Sequence, residues 1–315
     1  MSVSIAIFGG AGIDRIALTH DKPVPGASNP GRLTTAPGGV GFNVARVLAG
    51  LGTPVRLVAR IGDDPDGRAV LNAAGQAGIA TDTIARSASS PTATYLAVLD
   101  DRRDLIIGVA DMAIHAEITA DILQPALSAA SGDSIWIVDA NLSAACLTAV
   151  AARAQRQGKH LIALPVSPAK AVRLQDILAD TDLLIANRRE AATLLGDGST
   201  EANAPPADLA RDLLKRSRST SDGAAIVTDA GGELALATAT GVTAFTPLPT
   251  EIVSVNGAGD AFAGAVIHGL ATGRTLEAAV PLGLAAAALT VETEGTIPAD
   301  LSGDTIAARL GPAGR

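Results

Sequence analysis

The segment Asn256-Gly-Ala-Gly-Asp260 is followed by apolar residues that recur at helical spacing over 262–270. Gly257 and Gly259 permit backbone torsions closed to other residues and let a ligand approach the main chain. The N-terminus of the following helix offers unpaired N–H groups and the positive end of a dipole, which suits a phosphate. Asp260 is therefore either a helix cap or a general base beside an anion hole made by the backbone N–H groups of Gly257, Ala258 and Gly259. A carboxylate facing a phosphate is useful when it takes a proton from a hydroxyl that attacks phosphorus.

A second glycine-rich segment, Pro37-Gly-Gly-Val-Gly-Phe-Asn43, opens a helix at Val44. The glycines permit close backbone approach, and the amide of Asn43 supplies both a donor and an acceptor. This combination favours a polyhydroxylated ligand; the alternative is a turn and helix start with Asn43 solvated. The segment lacks the dinucleotide fingerprint G-x-G-x-x-G, and the chain contains no G-x-x-x-x-G-K-[ST] motif.

A third motif, Asn187-Arg-Arg-Glu190, directly follows the predicted strand Leu183–Ala186. Residues three apart share one helix face, so the amide and the carboxylate can point at the same place. Asn187 is a candidate for holding phosphate oxygens, and Glu190 for holding Mg²⁺ through water. The alternative is an ordinary helix cap.

Short apolar strands alternate with helix-length segments along the chain, which predicts an α/β fold with a mostly parallel sheet covered on both faces. The runs Thr94–Leu99 and Asp104–Val109 depart from this rhythm and read as a hairpin. Together with the non-helical residues 14–36 they predict a small antiparallel sheet, either a lid or an ordinary edge hairpin. A surface loop is predicted over 197–209.

The composition sets the class of protein. The 315 residues, 48% of them hydrophobic and 18% charged, suit one large α/β domain or one with a small appendage. A net charge of −8 with 2% aromatic residues argues against nucleic-acid binding. The single Cys146 excludes an intrachain disulfide. No apolar run reaches the length of a membrane span, and the first residues lack a signal-peptide pattern, so we expect a cytoplasmic protein with no membrane partner.

These three motifs, in this order and after the opening Gly9-Gly-Ala-Gly-Ile-Asp14, resemble the PfkB (ribokinase-like) carbohydrate kinase family over nearly the whole chain. Within that family the chain is most similar to the pseudouridine kinase subgroup. The segments that carry this finer similarity are Ser28–Gly31, Pro37–Gly41, Asp111–Met112, Asp139–Asn141 and Pro165–Ser167.

The resemblance implies a single ribokinase-like domain over 1–315, with a three-layer α/β/α core and a β lid formed from about 14–36 and 92–112. It implies ATP- and Mg²⁺-dependent phosphorylation of the 5′-hydroxyl of pseudouridine, with Asp260 as the base and the Gly257–Gly259 N–H groups around the transferred phosphoryl group. It also implies a homodimer formed through the lid. K⁺ activation is doubtful, because Ser254–Val255 stand where the family usually has Asp-Thr.

Further site residues follow from the resemblance. Those expected to hold the substrate are Asp14, Gly38, Gly39, Asn43 and Asn141, together with Asp111, which either faces the substrate base or is an ordinary turn residue. Those expected to hold the nucleotide are Asn187, Glu190, Thr228, Gly231, Gly257 and Gly259, with adenine near Ala286 and Glu292–Gly295.

Several alternatives stay open. The substrate could instead be ribose, another furanose or another nucleoside, and a non-catalytic binding protein is a rival of a different class. Phe42 stands where the subgroup suggests Arg, and its apolar ring is expected to alter substrate choice. Lys170 and Arg173 are expected on a solvated face, and His115 is expected at the surface or as a satisfied polar residue.

Overall fold

The computed structural model describes residues 3–196, 204–217 and 223–311. Its strands are β1 (Ile5–Phe8), β2 (Gly12–Thr19), β3 (Gly31–Gly38), β4 (Val55–Gly62), β5 (Ile84–Ser87), β6 (Ala93–Leu99), β7 (Leu105–Asp111), β8 (Ile135–Asp139), β9 (His160–Leu164), β10 (Leu183–Asn187), β11 (Ala224–Thr228), β12 (Leu234–Thr238) and β13 (Gly241–Phe245).

The helices are α1 (Val40–Gly50), α2 (Pro65–Gln76), α3 (Ala120–Ala129), α4 (Ala144–Arg156), α5 (Pro168–Ala171), α6 (Arg188–Leu195), α7 (Pro206–Leu214), α8 (Ala258–Ala271), α9 (Leu276–Val291) and α10 (Gly303–Leu310). Three 3₁₀ segments span Ala113–Glu117, Ala130–Gly132 and Val172–Asp180. Of the surface loop predicted over 197–209, residues 197–203 lie outside the described residues, and α7 begins at Pro206, inside the predicted loop. None of the helices in the described part of the chain combines the length and apolar character needed to cross a bilayer.

The larger sheet has nine strands in the order β13-β12-β11-β10-β9-β8-β1-β4-β5. The strands from β11 to β5 pair in parallel, which confirms the predicted α/β class. An antiparallel hairpin, β12–β13, extends one edge, and the sequence reading missed it. Its residues Leu234–Ala237 are buried beside α7, so the hairpin closes that edge of the core.

Strand β1 shows how the sheet divides the core. Side chains alternate between the faces of a strand, and Ile5 and Ile7 lie in the cluster packed by α1, α2, α8 and α9. Ala6 and Phe8 lie in the other cluster, packed by α3, α4, α6 and α7. There the ring of Phe8 lies 5.1 Å from that of Trp136, and such pairs add about 0.5–1.5 kcal/mol beyond area burial. Helices therefore cover both faces, in three layers.

The smaller sheet has four strands in the order β3-β2-β6-β7, and we call it the lid sheet. Two antiparallel hairpins, β2–β3 and β6–β7, make it up, as expected from residues 14–36 and 92–112. The hairpins meet through their first strands, which run in the same direction, so the pairing of β2 with β6 is parallel. The sequence predicted the sheet but not this parallel joint.

One carboxylate fastens the lid sheet to the larger part of the molecule. Glu294 accepts hydrogen bonds from Arg32 on β3 at 3.0 Å and from Arg103, in the turn between β6 and β7, at 3.1 Å. Arg103 also donates to the carbonyl of Val253 at 3.2 Å. The two arginines hold the pKa of Glu294 below its usual range, Arg103 contributing first. All three side chains are exposed.

Candidate active site

Asp260 lies in the first turn of α8, whose N-terminal boundary is set by Gly257. The backbone of Gly257 is left-handed, with φ 79°, and a Cβ there would collide with the carbonyl oxygen of Thr296. Only glycine fits this turn without strain. The turn leaves the first N–H groups of a 14-residue helix without intrahelical acceptors. The structure thus has the anion-binding geometry expected at this helix start.

Asn43 joins this helix start to the second glycine-rich segment. Its side-chain amide donates a 2.8 Å hydrogen bond to Oδ2 of Asp260. Asn43 is 4% exposed, and among the described residues its Oδ1 has no hydrogen-bond partner. A buried acceptor without a partner costs free energy unless a ligand supplies a donor. A substrate hydroxyl could supply that donor. The burial of Asn43 contradicts the alternative in which its side chain is solvated.

The environment of Asp260 changes its acidity. Burial raises its pKa to about 7, and the negative charges of Asp139, Asp14 and Glu190 act in the same direction. The hydrogen bond from Asn43 opposes the shift because it stabilises the charged form. A carboxyl group that titrates near neutrality can hold and release a proton at working pH.

Asp14 brings a second carboxylate to the site from strand β2. Burial raises its pKa to about 6. Gly38, near the end of the neighbouring strand, lies against it: a Cβ at this position would collide with the carboxylate. Gly38 does not line the cavity, so its part in the site is to leave room for Asp14.

A buried carboxylate, Asp139, holds the loops beneath the site. It accepts hydrogen bonds of 2.8 Å from the backbone N–H of Gly10 and of Asn141. Burial raises the pKa of Asp139 in spite of these bonds. The side chain of Asn141 in turn accepts a 2.6 Å hydrogen bond from Lys170. The sequence singled out Asp139 only through the family resemblance. Its bond to Gly10 joins residues far apart in the chain, so no local pattern indicates it.

These groups surround a cavity of about 520 Å³, a size typical of small-molecule sites. Its lining comes from the lid sheet, from the loops that follow β1, β8 and β9, and from the starts of α1 and α8. The predicted site residues that line it are Asp14, Gly39, Asn43, Asn141, Gly257 and Asp260. The predicted site residues outside its lining are Gly38, Asp111, Asn187, Glu190, Thr228, Gly231, Ala258 and Gly259.

Asn187 and Glu190 form the helix cap that the sequence allowed as the alternative. Asn187 Oδ1 accepts from the N–H of Glu190 at 3.0 Å, and Glu190 Oε2 accepts from the N–H of Asn187 at 2.9 Å. Glu190 is buried, and burial raises its pKa. The backbone bond of the cap uses Oε2 of Glu190, and the charge of Glu190 is close enough to raise the pKa of Asp260. The cap is therefore compatible with a further role for the other oxygen.

Three of the predicted nucleotide residues, Asn187, Thr228 and Gly231, lie at the carboxyl ends of neighbouring strands or in the turn that follows. Asn187 and Thr228 are register partners at the carboxyl ends of β10 and β11. Gly231, in the turn after β11, is exposed and has open space around it. Nearby, Arg188 forms a 2.9 Å ion pair with Asp229. Within the described ranges, no group of three or more His, Cys, Asp or Glu side chains is arranged to hold a metal ion. A Mg²⁺ ion at this edge would thus rely on water and phosphate for most of its ligands, as Mg²⁺ commonly does.

Two substrate-side expectations are wrong. Phe42 is fully buried in the core cluster that contains α1, so its ring does not reach the cavity. Adjacent helical residues point about 100° apart, and here Asn43 takes the direction towards the site. Asp111 is exposed at the end of β7, while its neighbours Ala110 and Met112 line the cavity. Alternation along the strand places the carboxylate on the outer face.

Two further residues were assigned to the wrong environment. Lys170 is partly buried and lines the cavity, where its side chain bonds Asn141. His115 also lines the cavity and is 7% exposed. Lys170 follows strand β9, and residues after the carboxyl ends of parallel strands meet at one edge, so its position could have been inferred from the topology. Arg173 donates instead to the carbonyls of Ala140 and Asn141.

Comparisons with known proteins agree with this architecture. The model of the pfkB family carbohydrate kinases matches residues 3–302. Pseudouridine kinase of Escherichia coli (strain K12) is 30% identical over 261 residues, which cover 82% of this chain and 80% of that protein. A carbohydrate kinase from Agrobacterium tumefaciens superposes with a TM-score of 0.84 at 36% identity, covering 98% and 97% of the two chains. Arabidopsis thaliana ribokinase, solved with ribose and ATP, has the same fold, with a TM-score of 0.82 at 20% identity and coverage of 98% and 99%.

Proposed function

Because the chain belongs to the pfkB family of carbohydrate kinases, we propose that it transfers the γ-phosphoryl group of ATP to the 5′-hydroxyl of pseudouridine. The family membership makes it a phosphotransferase acting on a sugar or nucleoside. The similarity to Escherichia coli pseudouridine kinase supports the narrower substrate. The use of ATP is supported by the fold shared with a ribokinase that was solved with ATP.

One observation carries the chemistry: a partly buried carboxyl group with a pKa near 7 lies in the cavity at the N-terminus of a helix. In the reaction the 5′-oxygen bonds to the γ-phosphorus as the bond from phosphorus to the β,γ-bridging oxygen breaks. Asp260 accepts the proton of the attacking hydroxyl. The backbone N–H groups of Gly257, Ala258 and Gly259 donate to the phosphoryl oxygens, where charge is spread in the transition state.

The sugar is held between the two sheets. Asn43 fixes Asp260 and offers its unpartnered Oδ1 to a hydroxyl. The carboxylate of Asp14 accepts from another hydroxyl, with Gly39 and Asn141 lining the same cavity. These contacts orient the 5′-hydroxyl towards the phosphoryl group, and such positioning supplies much of the rate enhancement in phosphoryl transfer. Closure by the lid sheet excludes water that would otherwise hydrolyse ATP.

The nucleotide is assigned to the carboxyl ends of β10 and β11. Asn187, Thr228 and Gly231 lie there. For the adenine, the family resemblance favours Glu292–Gly295, since Ala286 is fully buried in the core. Mg²⁺, when bound to the phosphates, supplies charge neutralisation. Glu190 fits it through water, because one of its carboxylate oxygens is left outside the cap.

We also assign a homodimer to the lid sheet. Residues along β3 and β7 expose apolar side chains, namely Leu33, Leu105, Ile106, Ile107 and Val109, each between 49% and 62% exposed. A patch of this kind on a soluble protein commonly marks an interaction surface. The proposal of a dimer is supported by the family resemblance and by this exposed apolar patch.

An ATP-consumption assay with Mg²⁺ on pseudouridine, uridine, cytidine, adenosine, ribose and fructose tests the function. We expect a clear preference for pseudouridine over uridine, which differ only in how the base joins the sugar. Turnover of ribose or another nucleoside would keep the kinase chemistry and overturn the substrate. Ligand binding without any phosphoryl transfer would favour a non-catalytic binding protein.

A further inference from the structure

The cavity has a second polar group that the mechanism above does not use. Lys170 enters from α5, after β9, and His115 from the 3₁₀ segment that follows the lid strand β7. Both line the cavity together with Asn141. Sugar hydroxyls are already provided for by Asp14 and Asn43, so these two side chains need another partner.

Lys170 is only partly satisfied. Within the described ranges, its one side-chain hydrogen bond is the 2.6 Å contact with Oδ1 of Asn141. An ammonium group has three N–H donors, so two remain. The contact is to a neutral amide; burial lowers the pKa of Lys170, and the nearby charge of Asp139 opposes that shift without bonding the ammonium group. A half-buried cation of this kind is best matched by a strong acceptor such as a carbonyl oxygen.

His115 is unsatisfied as well. It is 7% exposed, and its Nε2 is buried with no hydrogen-bond partner in the part of the chain that the structure describes. Burial, followed by the charges of Lys170 and Arg173, lowers its pKa to about 4. The ring is therefore neutral near pH 7 and has one donor and one acceptor nitrogen. It can bond a ring N–H or a carbonyl, but it does not compete for a proton with Asp260.

A pyrimidine-dione base presents the complementary groups, since carbonyl oxygens alternate with ring N–H donors along its edge. Tyr95, from lid strand β6, adds an aromatic side chain to the same cavity, and aromatic rings stack on bases. A pentose bound in its furanose form has neither a carbonyl edge nor an aromatic ring that could stack on Tyr95. We infer that Lys170 and His115 read the base of a nucleoside that carries a carbonyl and ring N–H edge. This inference rests on the proposed kinase function and assigns the residues that bind the base of its substrate.

The test is calorimetric binding of pseudouridine, uridine and ribose, without ATP, to the wild type and to Lys170→Met. Lost hydrogen bonds to a charged group correspond to a weakening of about 10- to 100-fold. We expect that loss for pseudouridine and uridine, with a clearly smaller loss for ribose, which Lys170 affects only through its bond to Asn141. Lys159→Met is the matched control, because Lys159 also makes one 2.6 Å bond, to the carbonyl of Ser131, on the exposed surface.

A second variant guards against misfolding. Lys170→Gln keeps a donor, and we expect an affinity for nucleosides between those of wild type and Lys170→Met, with an unchanged melting temperature. An unchanged nucleoside affinity in both variants, equal losses for ribose and pseudouridine, or no nucleoside binding by the wild type would each overturn the inference. If the wild type phosphorylates uridine instead of pseudouridine and Lys170→Met raises its KM, the proposed substrate fails but the inference stands. If the wild type phosphorylates pseudouridine and Lys170→Met leaves KM unchanged, only the inference fails.

Discussion

The amide of Asn43 donates a 2.8 Å hydrogen bond to the carboxylate of Asp260 across 217 positions of the chain. The bond ties the start of α1 to the start of α8, so the two glycine-rich segments act as one site. It also opposes the rise in the pKa of Asp260 that burial and three neighbouring carboxylates cause, because it stabilises the charged form. A change at Asn43 is therefore expected to alter the acidity of Asp260.

Replacing Asp260 by Asn should remove the base and keep the fold. General-base catalysis contributes about 10²- to 10⁴-fold, so we expect kcat to fall by that factor, with the KM for the nucleoside within a few-fold of wild type. Steady-state kinetics with an intact circular dichroism spectrum check this. A kcat of Asp260→Asn close to that of the wild type would show that Asp260 is not the general base.

The same variant should gain stability in alkaline solution. The folded-state pKa of Asp260 is raised, so its contribution to stability is full below the unfolded value near 4 and is lost as the pH rises through about 7. Above pH 7 the wild type carries a buried charge that Asn lacks. We expect the melting temperature of Asp260→Asn to exceed that of wild type at pH 8 by more than at pH 5.

The pH profile of the wild type should fall on the acid side near pH 7, where Asp260 becomes protonated. Asn43→Ala removes the hydrogen bond that lowers the pKa of Asp260, so the acid limb of kcat should move to higher pH. Asn29→Ala is the control, because Asn29 bonds only lid-turn backbone, at Val24 and Ala27. An acid limb that stays in place in Asn43→Ala would contradict the coupling.

Gly38→Ala should act on substrate binding through Asp14. The added methyl group would collide with the Asp14 carboxylate, so we expect the KM for the sugar or nucleoside to rise about 10-fold or more, equal to about 1.4 kcal/mol. Asp14→Ala should do the same. Gly75→Ala, at an open position in α2, is the matched control and should leave KM unchanged. An unaltered KM in Asp14→Ala would argue against its contact with the substrate.

Asp139→Ala should destabilise the protein. It leaves the buried N–H groups of Gly10 and Asn141 without acceptors, at about 1–3 kcal/mol each. Urea unfolding should show a loss of about 2–5 kcal/mol. Asp208→Ala, which removes an exposed ion pair with Arg211, should cost about 1 kcal/mol or less. Equal losses of unfolding free energy in the two variants would show that the hydrogen bonds of Asp139 do not stabilise the loops beneath the site.

The dimer assigned to the lid sheet predicts that Ile107→Lys yields a monomer. Lysine in an apolar interface leaves a charge without a partner, and light scattering at increasing protein concentration measures the outcome. Val172→Lys changes an exposed apolar residue outside the lid and should keep the wild-type mass. A wild type that is monomeric throughout would overturn the assignment.

Local patterns were enough to predict the α/β class, the lid sheet and the glycine-rich helix starts, because strand alternation, helical spacing and glycine torsions are short-range properties. Asp260 and Asn43 were singled out in this way, although their hydrogen bond to each other was not foreseen. The burial of Phe42 could not be predicted in this way. Which side chain of α1 faces the core depends on the elements that pack against this helix. Lys170 and His115 were missed for the same reason: burial and an absent partner exist only once β9 and the lid strands have come together.

The carboxylate of Glu294 bonds both Arg32 and Arg103, so the lid sheet is fastened to the larger part of the molecule by exposed charges. Salt screens such pairs over about 8–10 Å at ordinary ionic strength, while the buried groups around Asp260 are shielded from it. Added electrolyte therefore loosens the fastening without altering the chemistry beneath. If the lid sheet opens to release product, we expect added salt to change that step more than the phosphoryl-transfer step.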